Sequence, residues 1–259
     1  MRRLAKRLVQ TATGLFGREL VPTGAAAAMA DAALLSEKAQ LLGMVEDGHL
    51  REALDLLPDS PSQLNQDFVA LSATGWKRDG FFVEFGATDG RTLSNTWLLE
   101  KRFGWTGILA EPARIWHEAL QTADRAAAKD YDCVWSQTGA TLRFCEAEWS
   151  EVSTLETFRA RDHHDRRRAR GYDVRTVSLT DLLDRHDAPP VVDYLSIDTE
   201  GSELAILQAY DFARPIRCIT VEHNHTPDRE AIYALLSGKG YQRRWEALSQ
   251  FDDWYVLRG

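Results

Sequence analysis

Apolar and polar positions along this chain change rhythm near residue 63. Before it the spacing is helical. Leu4, Leu8, Ala12 and Leu15 recur as one helix face within a basic stretch, 1–20, that carries Arg2, Arg3, Lys6 and Arg7. Residues 21–30 are rich in Pro, Gly and Ala and read as a linker. Leu34, Leu35, Ala39, Leu41, Leu42 and Val45 predict a helix over 31–47, and a second over 50–57 stops at Pro58. Asp59-Ser60-Pro61-Ser62 is a turn. Residues 1–60 thus read as an N-terminal helical extension ahead of a main domain, 61–259.

From residue 63 short apolar runs alternate with helical spacing. Strands are predicted over 81–85, 107–110, 132–136, 191–197 and 216–221, and helices over 65–71, 92–103, 113–128, 179–185, 202–209 and 227–237. Thr141 to Cys145 pairs with or extends the third strand, Tyr172 to Val177 is strand-like, and 241–245 with 254–257 read as a closing antiparallel pair. The runs 191–197 and 216–221 are apolar almost throughout, as in strands covered on both faces. Strands alternating with helices predict an α/β fold with a mostly parallel sheet wound on both faces. In that architecture ligands bind beyond the carboxyl ends of the strands, near the point where strand order reverses. Polar residues directly after strands are therefore the site candidates.

Composition narrows the partners. Hydrophobic residues make up 44% of 259 positions, enough for a sizeable core. A net charge of −8 argues against binding nucleic acid through its phosphates. Cys133, Cys145 and Cys218 form an odd set without metal-ligand spacing and read as reduced core thiols of a cytoplasmic protein. No apolar run approaches the roughly 18 residues of a membrane span. The basic start lacks the long apolar core of a secretory signal. It reads either as an interfacial helix touching an anionic membrane or as a plain leader helix. A homo-oligomer is compatible with the sequence but not specified by it.

Four groups fall at predicted strand ends. The first is Glu84, Gly86, Thr88, Asp89 and Gly90, in the stretch FFVEFGATDG. Its spacing is not the Gly-x-Gly-x-x-Gly dinucleotide pattern. Its carboxylates would repel phosphate and suit a ligand carrying an ammonium and a sulfonium. The second is Glu111, followed by Pro112. An acid there accepts hydrogen bonds from both ribose hydroxyls, in nucleotides and in S-adenosylmethionine alike. The third is Trp135-Ser136-Gln137, where an adenine could lie against an apolar side chain. The fourth joins Asp198-Thr199-Glu200-Gly201 with Glu222-His223-Asn224, each after an apolar strand. His223 could take a proton near neutral pH, with Asp198 orienting it, acting as base itself or holding a divalent metal.

The stretches FFVEFGATDGRTLSNTWLLEKRFGWTGILAEP, VDYLSIDTEGSELAIL, ITVEHN and DDWYV together resemble the FkbM family of S-adenosylmethionine-dependent methyltransferases, over roughly residues 63–257. The resemblance implies a Rossmann-like class I methyltransferase with a mostly parallel seven-stranded sheet, a reversed final strand and helices on both faces. It implies O-methylation, typically of sugar hydroxyls in glycans or secondary metabolites. By position, Glu84, Gly86, Thr88, Asp89 and Gly90 would cradle the methionine part of S-adenosyl-L-methionine, helped by Ser94 and Asn95. Glu111 and Pro112 would lie at the ribose, Ser136 at the adenine and Asp198 near the transferring methyl. The catalytic set is then Asp198, His223 and Glu200, with Glu222 in support. Related O-methyltransferases place metal-binding acids after these same strands, so Asp198 with Glu222 or Asn224 is also a candidate Mg²⁺ site. Residues 1–60 have no counterpart in the resemblance.

The polar stretch 146–171 reads as an insert on the substrate side. Its Trp149, Arg161, His163, His164, Arg166, Arg167, Arg168 and Arg170 either meet an acidic or phosphorylated glycan carrier or form a solvated helix face. Two other classes compete with the methyltransferase. An NAD-linked oxidoreductase lacks its glycine pattern here, and a non-catalytic cofactor-binding protein would have no need of acids at four strand ends.

Overall fold

The computed structural model of the chain describes residues 35, 36, 39, 41, 43–160, 166 and 168–259. The basic stretch 1–20 and the linker 21–30 lie outside the described residues, as do Arg161, His163, His164 and Arg167. The chain divides into two compact units, Met1–Leu57 and Pro58–Gly259. The first contains a 3-10 turn, Asp47–His49, and helix α1, Leu50–Leu56. Leu41, Met44, Val45 and Ala53 are buried there.

The second unit holds helices α2 (Gln66–Ala73), α3 (Trp97–Phe103), α4 (Arg114–Thr122), α5 (Leu179–Arg185), α6 (Glu203–Ala209) and α7 (Asp228–Gly238). Its strands are β1 (Phe81–Phe85), β2 (Thr106–Ala110), β3 (Ala128–Asp130), β4 (Cys133–Trp135), β5 (Thr141–Glu146), β6 (Thr154–Leu155), β7 (Arg170–Ser178), β8 (Val192–Ile197), β9 (Ile216–Glu222), β10 (Tyr241–Arg244) and β11 (Asp252–Leu257). A seven-stranded sheet runs in the order β10-β11-β9-β8-β1-β2-β3. β11 is antiparallel to both neighbours and the other pairs are parallel, so the sheet is mixed. Four strands form a second sheet, β4-β7-β5-β6. Among the described residues no helix is long and apolar enough to cross a membrane.

Side-chain alternation places the core. Val83 and Phe85 of β1 pack into one large cluster with Leu195 and Ile197 of β8, Ile219 and Val221 of β9, and Leu182, Ile206 and Ile232 of α5, α6 and α7. Phe82 and Glu84 point to the opposite face. There the Arg125 guanidinium lies 5.5 Å from the centre of the Phe82 ring and donates to Thr96 and Glu100. Local signals end the elements. Gly104 closes α3 in the left-handed conformation (φ 71°), and the Ser178 hydroxyl caps α5 by accepting from the Asp181 N–H.

Three expected elements differ. The helix over 113–128 ends at Thr122, and Ala128–Asp130 returns as the third strand of the large sheet beside β2. The cause is long-range. The Asp130 carboxylate is held by Arg185 and by His186, each at 2.8 Å, which fixes a strand too short to show a period. The strand expected over 132–136 becomes β4 of the second sheet, paired with β7. The helix over 92–103 begins only at Trp97, because residues 94–96 wrap the Glu84 carboxylate.

Strand order reverses at β1, between β8 and β2, and there the two strand ends meet closely. Gly86 sits at φ 72°, and a Cβ built on it would lie 2.3 Å from the Asp198 carbonyl oxygen. Gly86→Ala is therefore expected to lose about 2–5 kcal/mol, from a side chain at positive φ plus overpacking against backbone. The urea midpoint reports it, and an unchanged midpoint would refute this contact.

Candidate functional site

A cleft of about 1050 Å³, continuous with solvent, opens beyond the carboxyl ends of β1, β2 and β8. Its β2 end is organised by Glu111. The two oxygens of this buried carboxylate accept from the backbone N–H groups of Thr88 and Ala113, both at 2.8 Å. Burial pushes the carboxyl up to about 7, against those bonds. Thr88, at φ 47°, and Pro112 line the cleft with it, and Cys133, Val134 and Phe144 add an apolar wall.

The floor is made by β1. Glu84 is buried and accepts from the Asn95 N–H at 2.6 Å and from the hydroxyls of Ser94 and Thr96 at 2.9 and 2.5 Å. Burial raises its pKa, opposed chiefly by Arg125. The carboxylate thus shapes the loop after β1. A polar chain continues from that loop. Asn95 donates to the Ser196 hydroxyl, the Ser62 hydroxyl lies within hydrogen-bond reach of the side-chain oxygens of Asn95 and Gln66, and the Gln66 amide donates to Asp252 at 2.9 Å.

Acids crowd the far end. Asp198, Glu200 and Glu222 present carboxylate oxygens within 4.8 Å of one another. The Asp198 and Glu222 carboxyls lie side by side in this cluster. Burial, then the charges of Asp252 and Glu203, push Asp198 up to about 7. Glu222 is raised further by burial and by Asp198. Asp252, also lining the cleft, is pushed up to about 7 by burial. Glu200 stands at φ 58°, and its Oε2 accepts from Arg166 at 2.9 Å and from the Asn224 amide at 3.3 Å. Glu203 is occupied locally, accepting from the N–H groups of Thr199 and Gly201 and from the Thr199 hydroxyl.

The family model for the Methyltransferase FkbM domain matches residues 84–256, more than half of the chain. The chain belongs to this family. No curated protein matches it. The matched span runs from the middle of β1 to β11, so Ser62, Gln63 and Gln66 reach the site of this FkbM domain from outside it.

Of the residues expected in the FkbM site, Glu84, Gly86, Thr88, Asn95, Glu111, Pro112, Asp198 and Glu200 line the cleft. Asp89, Gly90, Ser94 and Ser136 do not. The Asp89 carboxylate turns back on its own loop, accepting from the N–H groups of Arg91 and Thr92 and the Thr92 hydroxyl. Gly90 packs towards Leu120, and Ser94 is spent on Glu84. Ser136 follows β4 in the second sheet, and the apolar wall comes instead from Cys133 and Val134.

His223, expected in the catalytic set, also lies outside the cleft lining. It is buried, its Nδ1 accepts from the His225 N–H at 3.0 Å, and its Nε2 faces the Asp252 carbonyl at 3.1 Å. That makes a neutral ring with its lone pair used, and burial lowers its pKa further. In this arrangement it braces the loop after β9. Arg166, expected on a basic face, is buried against Glu200, while Arg168 and Arg170 are exposed. Sequence reasoning missed Gln66, Ser196, Thr220 and Asp252. The available signal for Asp252 was an acid opening the DDWYV strand.

Asp252 has a folded pKa above its unfolded value, so the stability its protonated form contributes is lost as pH rises towards about 7. Asp252→Asn keeps an acceptor for Gln66 and Trp254 and removes that loss. The melting temperature of the variant minus that of the parent should grow from pH 4 to pH 7 and level off above. A difference independent of pH would show that Asp252 titrates normally.

Proposed function

We propose that this protein is an S-adenosylmethionine-dependent O-methyltransferase acting on a hydroxyl of a sugar, glycan or glycosylated metabolite. The observation that carries this is one cleft with Glu111 at one end and Asp198 beside Glu222 at the other, in a chain of the FkbM methyltransferase family. The strand order with its single reversed strand, β11, supports a Rossmann-like class I architecture.

The residues fit the cofactor. Glu111 spends one lone pair of each oxygen on a backbone N–H, leaving the others directed to two ribose hydroxyls. Val134, Cys133 and Phe144 offer an apolar face for adenine, and the backbone at Gly86, where no Cβ fits, admits the amino-acid portion. When bound, the cofactor supplies an electrophilic methyl group on sulfonium. Asp198 then removes the proton of the acceptor hydroxyl, its basicity raised by burial and by neighbouring acids. Ser150, Ser153, Thr199 and Ser202 line the acceptor end with hydroxyl oxygens that can accept from a polyol. The exposed Trp149 stands beside Ser150.

Asp198, Glu200 and Glu222 would be the arms of a Mg²⁺ site, one of them already bound to Arg166. Such an ion would lower the pKa of the acceptor hydroxyl. We further propose a cytoplasmic enzyme whose residues 1–20 touch an anionic membrane when the acceptor is lipid-linked.

Calorimetry with S-adenosylhomocysteine should give a clear binding isotherm. Glu111→Ala should weaken it by about tenfold or more, the share of a hydrogen-bonded ribose, whereas Asp198→Asn should change it little. Absence of binding to the parent protein, with NAD binding instead, would sink the reading. Labelled methyl followed from the cofactor into a panel of sugars and lipid-linked glycans tests the acceptor. There Asp198→Asn should lower kcat by about 10²–10⁴.

With Asp198 as base, turnover should fall as pH drops through about 7, since the group must lose its proton. A flat profile from pH 5 to 8 would exclude it. Full activity after exhaustive chelation would remove the metal.

A further inference from the structure

The insert's arginine has a place that the function above does not use. The Arg166 side chain has 0% exposure, and among the described residues its guanidinium donates to three groups. Nη2 reaches the Glu200 carboxylate at 2.9 Å, Nε the Val152 carbonyl at 2.5 Å and Nη1 the Arg159 carbonyl at 3.5 Å. Arg159 returns the contact, donating to the Arg166 carbonyl at 2.9 Å. Around this knot the same two segments touch twice more. The Thr154 hydroxyl donates to the Glu200 carbonyl at 2.8 Å, and Phe158 covers Gly201 so closely that a Cβ there would sit 2.9 Å from it. Between these contacts Ser150, Glu151, Ser153 and Leu155 face the cleft. Glu200 itself is held at φ 58°, a conformation a non-glycine residue keeps only when its surroundings impose it.

We propose that Arg166 is a positioning residue for the acceptor side of the cleft. By tying Glu200 to the carbonyls of Val152 and Arg159, it holds the wall 150–155 and the acid loop 198–201 as one body. Acceptor engagement therefore depends on it and cofactor binding does not. Lysine is not equivalent, because a single ammonium cannot span the carboxylate and both carbonyls in the planar fork that guanidinium provides. The proposal rests on the reading of this cleft as a methyltransferase site, with its acceptor at the acid end.

The test compares R166M, R166K and E200Q with the parent full-length protein. Hydrogen exchange needs no substrate. In R166M the amides of 150–155 and 199–202 should exchange about tenfold faster or more, with those of β1 and β2 unchanged within about twofold. R166K should fall between, and E200Q should reproduce R166M if the carboxylate is the anchor. S-adenosylhomocysteine affinity should stay within about threefold in all of them. For the sugar of the panel that the parent methylates, KM should rise about tenfold or more in R166M, with partial rescue in R166K. Unaltered exchange at 150–155, or cofactor affinity falling as far as acceptor KM rises, would overturn the proposal. If the parent methylates no sugar, the functional reading fails, and the exchange result still decides whether Arg166 holds the wall. Should R166M not fold, R166K and E200Q carry the same comparison.

Discussion

The ends of β1 and β8 approach until no methyl group fits between Gly86 and the Asp198 carbonyl, and the site depends on that contact. Neighbouring parallel strands normally have helices over their crossovers. Here the chain leaves β1 towards β2 on one side and reaches β8 on the other, so a gap opens where order reverses. A close backbone contact at the bottom of the gap brings Glu84, Gly86 and Asp198 to one floor. Around it the backbone is held in left-handed conformations at Thr88, Leu93 and Glu200, all lining the cleft. Such conformations persist where packing over-determines them, and they collect at sites that must be pre-shaped.

The floor also explains how so many carboxylates share one small volume. Glu84 is neutralised by three donors and the nearby Arg125. Asp198 and Glu222 are both pushed towards their protonated forms by burial, Glu200 has a guanidinium, and Asp252 has the amide of Gln66. Each acid has its own means of tolerating burial, and the means differ. Glu200 is tied to Arg166, whereas Asp198, raised to about 7 by burial and its acidic neighbours, faces the cleft. Asp198 and Glu200 thus differ in their partners, although the chain places them two residues apart.

Much of this was legible in the chain because strands covered on both faces are written as unbroken apolar runs. Val192–Ile197 and Ile216–Glu222 fell where 191–197 and 216–221 were expected, and Glu111 and Asp198 followed from the rule that ligands sit after strands. What stayed hidden depends on partners far away in sequence. Ala128–Asp130 is a strand because Arg185 and His186 hold Asp130. His223 looked like a base because its residue type suits one, yet its two nitrogens are used by His225 and Asp252. Asp89 looked like a ligand group and serves as a turn. Residue type and strand position locate a candidate, while the direction of its side chain is set by hydrogen bonds that spacing does not encode.

The bond from Gln66 to Asp252 spans 186 positions and joins the helix before β1 to β11, the sheet's reversed strand. The consequence is temporal. During synthesis the elements around Glu84, Glu111 and Asp198 emerge first, and a nascent chain can assemble them while the reversed strand is still inside the ribosome. The acid end lacks one wall until residue 252 is out and β11 slides between β9 and β10. Whatever the order in which the other elements assemble, the acid end has this wall only once β11 has docked between β9 and β10.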